Sequence, residues 1–486
     1  MRRKVLARDN WEVRFVTCPI ARMPYNLRIE RLVRTPFKYN KSKNFWLELY
    51  FRISLHLKKV AHVPENLSSM KEIKREYYLN QLISSKQNGL IKIVTGIRRC
   101  GKSYLLFKLF RDHLLADGIS PDHIISLALD DILNDEYCDP KKLLHYIKGN
   151  IKDSEIHYVL LDEVQMVNNF VGALNSLLHI DNVDVYVTGS NSKFLSSDIA
   201  TEFRGRGDEI RIYPLSFSEY VSAYDGNKED AWRDYITYGS LPLILSLDTQ
   251  QKKMSYLRNL YTTVYLKDLI DRNNVKKNTE FDSLVKVMAS SVGSPCNPNK
   301  LSNTFKSVSN ADLSPLTIDN YLGFLQEAFL IEKAMRYDIK GKKYIGTLSK
   351  YYFVDLGLRN SLLDFRQIEE THLMENVIYN ELRCRGNLVD VGMVETRTRT
   401  PQQGMMRKQL EVDFVVNNGS KRYYIQSALA LPDKEKIEQE SASLKHISDN
   451  FQKIIIVKDN IVSHHNEAGI LFISLFDFLL QRNILE

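Results

Sequence analysis

A chain of 486 residues, 44% apolar and 26% charged, has ample material for packed cores and is long enough for roughly two to four domains. No stretch approaches the roughly eighteen uncharged apolar residues of a membrane span, and the N-terminus lacks the apolar core and cleavage site of a signal peptide, so a cytoplasmic protein without a membrane partner is expected. The net charge of +8 is uneven: residues 1–64 hold 15 Lys or Arg against 4 Asp or Glu, which leaves 52 against 55 for the rest, so the body is no uniformly basic nucleic-acid binder. Five scattered cysteines, Cys18, Cys100, Cys138, Cys296 and Cys384, support neither a disulfide framework nor a zinc site and fit reduced thiols.

The basic leader, residues 1–69, has little periodicity and breaks near VPENLSSM. It reads either as a disordered arm or as sequence upstream of a start at Met70, and KEIKREYYLNQLISS after Met70 already reads as the first helix of a folded core. The apolar, β-branched run Leu90 to Thr95 is short enough for a buried strand, and after Lys102 the residues Leu105, Leu106, Leu109, Phe110 and Leu114 recur at helical spacing. Between strand and helix lies GIRRCGKS, Gly96 to Ser103, which fits the pattern G-x-x-x-x-G-K-[ST] without a mismatch. Backbone N–H groups of such a loop and the helix N-terminus wrap a phosphate chain. The candidate phosphate-binding residues are therefore Gly96, Ile97, Arg98, Arg99, Cys100, Gly101, Lys102, Ser103 and Tyr104, with Lys102 reaching the terminal phosphates and Ser103 joining a Mg2+ shell. With Cys100 inside the loop, thiol alkylation is expected to inactivate it.

About sixty residues on, YVLLDEV (Tyr158 to Val164) is an apolar strand ending in two carboxylates. Adjacent acids at a strand end place one, Asp162, on the metal's water shell and let the next, Glu163, polarise an attacking water. A third strand, Asp184 to Thr188, ends in Gly189, Ser190 and Asn191, where Asn191 either orients the water or caps the next helix. Arg204 and Arg206 are candidates for a charge that stabilises phosphoryl transfer, in cis or from a neighbouring subunit, against the reading of a solvated basic loop.

The chained segments VTGIRRCGKSYLL, YVLLDEVQ, VTGSNSKFLS, IYPLSFSEY, YGSLPLIL and YTTVYLKDLI resemble a family of prokaryotic AAA-like P-loop ATPases. In that family the core is followed by a winged helix and a C-terminal domain related to PD-(D/E)xK nucleases. The resemblance runs from about Met70 to the C-terminus. It implies ATP as ligand, Asp162 as the magnesium-associated acid, Glu163 as the catalytic glutamate, and an additional strand, Ile124 to Leu129, separating the two phosphate-site strands. The expected fold class is thus α/β: a parallel P-loop sheet of the additional-strand, catalytic-glutamate type, with a helical lid, a winged helix and an α/β nuclease-like domain.

The expected organisation is a leader at 1–69, an AAA-like core at 70–216, a helical lid at 217–275 with a turn at Gly239 to Pro242, a winged-helix-like domain at 276–365, and a nuclease-like domain at 366–486. In the fourth segment, helices in PNKLSNTFKS and LSPLTIDNYLGFLQEAFLIEKA precede two strands around the basic turn Lys340 to Lys343. The second helix is not basic, so DNA contact is expected through the hairpin and mostly to backbone, with protein docking as the alternative. In the last segment Glu375 lies on a helix and Asp413 on a strand, as the resembled nucleases require, but their second strand acid and lysine fall on Gln426 and Ala428. Unless Glu411 or Lys421 substitutes, the domain is expected to be inactive. The function expected is a Mg-dependent ATPase that couples nucleotide state to a DNA or protein partner, with a homo-oligomer as a candidate assembly. A non-hydrolysing nucleotide switch and an ATP-assisted nuclease are the alternatives.

Overall fold

In the computed structural model, which describes residues 72–189, 205–308, 313–400 and 404–485, the first helix, α1 (Glu76–Ser84), turns Tyr78 and Leu82 inward. The short apolar runs become strands β1 (Ile91–Thr95), β2 (Ile124–Ala128), β3 (His157–Asp162), β4 (Val183–Thr188) and β5 (Gly207–Arg211) of one sheet, ordered β2-β3-β4-β1-β5 with every pair parallel. Such a sheet needs cover on both faces. Alternate residues accordingly enter two apolar layers: Val94, Leu160 and Tyr186 on one side, and Ile93, Val159, Leu161 and Val187 on the other.

This order corrects one expectation. The strand at Ile124–Ala128 does not separate the phosphate-site strands but pairs with β3 at the sheet edge, and β4 lies between β3 and β1. Burial gives the reason: Ser126 in the middle of β2 is exposed, as suits an edge, whereas β4 is buried from Asp184 to Thr188.

After β5 a capping box, Ser216 with Glu219, starts the helix Phe217–Ala223. The chain continues through the helix Lys228–Tyr238 and a long helical run, Gln250–Leu260, Tyr261–Leu266 and Lys267–Asn273. Between the first two of these stretches the turn expected at Gly239 is real: its φ is +76°, and a Cβ there would collide with the Asp355 carboxylate. Helices Asn278–Ser290, Pro298–Val308 and Pro315–Glu327 follow.

The hairpin β6 (Ile331–Asp338) and β7 (Lys343–Phe353) carries exposed lysines at its turn, Lys340, Lys342 and Lys343. It is not a separate wing. Its strand β6 pairs in parallel with β8 (Leu388–Thr400). The sheet goes on through β9 (Gly404–Asn418), β10 (Lys421–Ala428), β11 (Gln452–Val457), β12 (His464–His465) and β13 (Leu471–Ser474), eight strands ordered β12-β13-β11-β10-β9-β8-β6-β7. The boundary drawn at residue 365 therefore cuts through one sheet, because β6 and β7 bury Ile331, Ala334, Tyr352 and Phe353 in the core that the helices also fill. Among the described residues no helix is long and apolar enough to cross a membrane.

A buried carboxylate ties the two sheets together. Glu332 on β6 meets Arg211, the last residue of β5, at 2.7 Å, and Arg383 of the helix Glu370–Cys384 at 2.7 Å, while Tyr213 and Tyr379 donate hydroxyls to it. Burial works against the charge, but the two guanidiniums outweigh it and hold the carboxyl below its ordinary pKa. Residues 70–486 form one unit in which this knot is shared. Glu332→Ala leaves two guanidiniums facing each other without a counter-charge, and an unfolding free energy lower by about 3 kcal/mol is expected in urea titration. A loss under about 0.5 kcal/mol, the range of an ordinary surface substitution, would show that the knot is incidental.

Candidate nucleotide site and a buried charge cluster

The loop after β1 needs both of its glycines. Gly96 has φ +143°, and a Cβ on it would collide with the Ile212 carbonyl oxygen. Gly101, at φ +100°, opens a continuous helical segment, Lys102–Tyr104, Leu105–Phe110 and Arg111–Ala116, whose middle turn is π-helical. Lys102 is only 5% exposed and folds back over the loop, its Nζ donating to Gly96 O at 3.0 Å and Ile97 O at 3.2 Å. Beside it opens a cavity of about 590 Å³, whose walls include Lys102, Ser103, Asp130, Asp162, Glu163 and Gln165.

Register brings the two acids to that cavity. β4 runs between β1 and β3, with Val94 opposite Thr188 and Leu161 opposite Val187, so Thr188 ends its strand beside Asp162. Its hydroxyl donates to the Asp162 carboxylate and accepts the Glu163 N–H at 3.0 Å. Burial pushes the Asp162 pKa up, and hydrogen bonds from Thr188 and Ser103 counter that shift in part. Glu163 sits in the left-handed region at φ +50°, an uncommon state for this residue type, and its carboxylate accepts from the Gln165 side chain. The helical run at 261–273 forms one wall: Val264 lines the cavity, Tyr265 donates to Arg98 O at 2.9 Å, and Arg98 pairs with Asp268 at 3.2 Å.

Of the loop residues, Arg98, Arg99, Gly101, Lys102, Ser103 and Tyr104 line the cavity, and the Tyr104 hydroxyl donates to Glu72 at 3.3 Å. Ile97 and Cys100 lie beneath it, both fully buried. The expectation for Cys100 changes accordingly: its thiol faces Ile212 O at 3.9 Å and is out of reach of an alkylating reagent. Asn191 and Arg204 lie outside the described residues. Arg206 is exposed, its carbonyl accepts the Ile91 N–H, and its guanidinium donates to Asn175. Ile91 begins β1, whereas the phosphate loop follows its other end, so an in-cis role for Arg206 is excluded by position. Sequence reasoning misses Thr188, Asp130 and Gln165. Thr188 is within reach of the strand-tip argument, which falls instead on a residue three positions later.

A second cluster lies in the eight-stranded sheet. Glu375 and Asp413 come together as expected and Glu411 joins them, but the cation among them is Lys350 of β7, 2.9 Å from Glu375 and 2.7 Å from Glu411. Lys421, the candidate substitute, stands exposed at the start of β10 and takes no part. Gln426 accepts the Asp413 N–H at 3.4 Å, and Ala428 packs into an apolar layer. Burial, reinforced by the Glu375 carboxylate, pushes the Asp413 carboxyl up to about 8, with Lys350 pulling the other way. Among the described residues the one group of three side chains close enough to share a metal ion is elsewhere, His123, Asp153 and His157. Both ring nitrogens of His157 are already engaged, one by the Lys152 N–H and one by Glu155 O.

A family model described as an AAA domain matches residues 88–221, which include the phosphate loop, both acids and Thr188. A second, a domain of unknown function (DUF8612), matches 229–369, from the helix Lys228–Tyr238 past the β6–β7 hairpin. An uncharacterized protein of Haemophilus influenzae is 34% identical over 415 residues, covering 84% of this chain and 99% of its own length. The chain belongs to the family of that protein. Its nucleotide-site region is an AAA domain of the P-loop type. An uncharacterized protein of Methanocaldococcus jannaschii is 27% identical over 431 residues, 85% of this chain and 90% of its own. Among solved structures, an Aeropyrum pernix ORC1 protein in complex with DNA has a TM-score of 0.25 at 11% identity, covering 60% of this chain and 92% of that one. So distant a likeness carries no functional argument.

Outside the AAA domain, the charge cluster makes a pH prediction. A folded-state carboxyl raised to about 8 keeps a proton that the unfolded chain releases above about pH 4, so its contribution to stability is full below that value and is lost as pH rises towards 8. Asp413→Asn should flatten the decline in unfolding free energy between pH 4 and 8 relative to the parent. Parallel pH profiles for the two proteins would contradict the burial of that proton.

Proposed function

We propose that the protein is a Mg-dependent ATPase that couples nucleotide state to a DNA or protein partner. The observation that carries this reading is the convergence of Lys102, Ser103, Asp162 and Glu163 on one cavity of about 590 Å³ beside a loop that a Cβ at Gly96 would block. In the proposed cycle Lys102 leaves the carbonyls of Gly96 and Ile97 for the β- and γ-phosphates of ATP, and the loop amides hold the rest of the triphosphate. Ser103 and Asp162 are hard oxygen donors already hydrogen-bonded to each other, a set that suits Mg2+, which when bound would neutralise charge between the phosphates.

Glu163 acts as the group that orients water. Its backbone is pinned by Thr188 and its carboxylate is held by Gln165, so attack on the γ-phosphate requires exchange of the Gln165 hydrogen bond for one to water. Arg206 acts only from a neighbouring copy, a reading supported by its exposed position at the far end of the sheet, and Arg204 and Asn191 keep the roles the sequence suggests. Two further readings rest on the same chain. The basic turn of the β6–β7 hairpin leaves Lys340, Lys342 and Lys343 exposed and available for phosphate backbone. The C-terminal region is read as nuclease-like but silent, because Lys350 bridges Glu375 and Glu411 where a cation would be needed.

Lys102→Ala should lower ATP affinity or turnover about a hundredfold, whereas Glu163→Gln should keep affinity within about threefold and lose turnover by about a hundredfold. Equal loss of binding in both would remove Glu163 from its role. Thr188→Val, which strips Asp162 of a hydrogen bond and Glu163 of its backbone anchor, should cut turnover about tenfold or more with little change in fold.

A further inference from the structure

A second cavity, of about 400 Å³, opens beside the start of α1, where Tyr77 faces the chain's C-terminal segment and the β9–β10 turn. Arg482 lays its guanidinium over the Tyr77 ring, 3.4 Å from the centroid, and spends one N–H on Cys384 O. Lys421 and Ser420 enter from the turn and are exposed, and Asn418 stands beside them. Arg385 completes the wall, but Glu381 neutralises it and backbone carbonyls of Phe478 and Arg482 take its other donors.

Charge is the informative feature. Among the described residues neither Lys421 nor Arg482 forms an ion pair, and no carboxylate lines the cavity. Two cations with no ion pair among the described residues, in a concave site flanked by a hydroxyl and an amide, make a place where an anion is favoured and where a planar guanidinium, fixed by stacking, is pre-organised to donate a pair of N–H groups. Chain continuity adds to the case. Arg75, immediately before α1, donates to Cys100 O inside the phosphate loop and to Tyr213 O, so a ligand gripping Tyr77 and Arg482 would lean on the helix that braces the nucleotide site.

We propose that this cavity is a second anion site that takes a phosphate or diphosphate group of a small ligand, separate from the loop at Gly96 to Ser103. The probe is inorganic pyrophosphate, titrated calorimetrically into the full chain carrying Lys102→Ala, which disables the phosphate loop. One saturable site is expected, weakened about tenfold or more by adding Lys421→Glu and also by adding Arg482→Gln. Lys421 is exposed on a turn, so its variant should fold normally, and an unchanged melting temperature checks this. The proposal fails if pyrophosphate shows no saturable binding in Lys102→Ala. It fails equally if Lys421→Glu binds as tightly as its parent, because the phosphate would then be held elsewhere.

Discussion

The hydroxyl of Thr188 is the point on which the nucleotide site turns. At the end of β4, the strand between β3 and β1, it donates to Asp162 and accepts from the Glu163 N–H, so the positions of both acids depend on where β4 ends. That end is set by parallel register, Val94 against Thr188 on one side and Leu161 against Val187 on the other. A slip of one residue would turn Thr188 into an apolar layer and a valine towards the acids. The buried, β-branched character of β4 is therefore as much a part of the site as the loop itself.

The same sheet reaches the rest of the chain through its other edge strand. β5 ends at Arg211, whose guanidinium meets Glu332 on β6 of the larger sheet, and the helix Glu370–Cys384 closes the knot with Arg383 and Tyr379. The helical run at 261–273 also contacts the loop, through Tyr265 and Asp268. The cavity thus has two packed connections outward: along the helical run at 261–273, and through β5 into the eight-stranded sheet. Buried charge of this kind adds little net stability when paired and costs much when broken, which favours a fixed relation between the two sheets over a loose tether.

What the sequence disclosed was local. GIRRCGKS and the acids ending YVLLDE are contiguous, and their chemistry follows from residue type and spacing before any tertiary contact is known. Strand order was not local: β2 and β4 are both short apolar runs, and only the exposure of Ser126 against the buried length of β4 tells edge from centre. The hairpin at 331–353 looked like a wing because a basic turn between two strands says nothing about which third strand will pair with it. Lys350 was invisible as a member of the acidic cluster because it lies on β7, well before Glu375 and Glu411 in sequence, and meets them only through packing of the larger sheet. The pattern at Gln426 and Ala428, by contrast, was readable from sequence, and Ala428 does sit in an apolar layer.

On the proposed function, Lys102, Ser103, Asp162 and Glu163 make a hydrolytic site and not merely a binding one. Release of inorganic phosphate from γ-labelled ATP, with the full-length chain in excess over nucleotide, tests it most directly. Phosphate is expected to appear with magnesium present and to stop when the metal is chelated. ATP that stays bound and intact with magnesium present would contradict the claim.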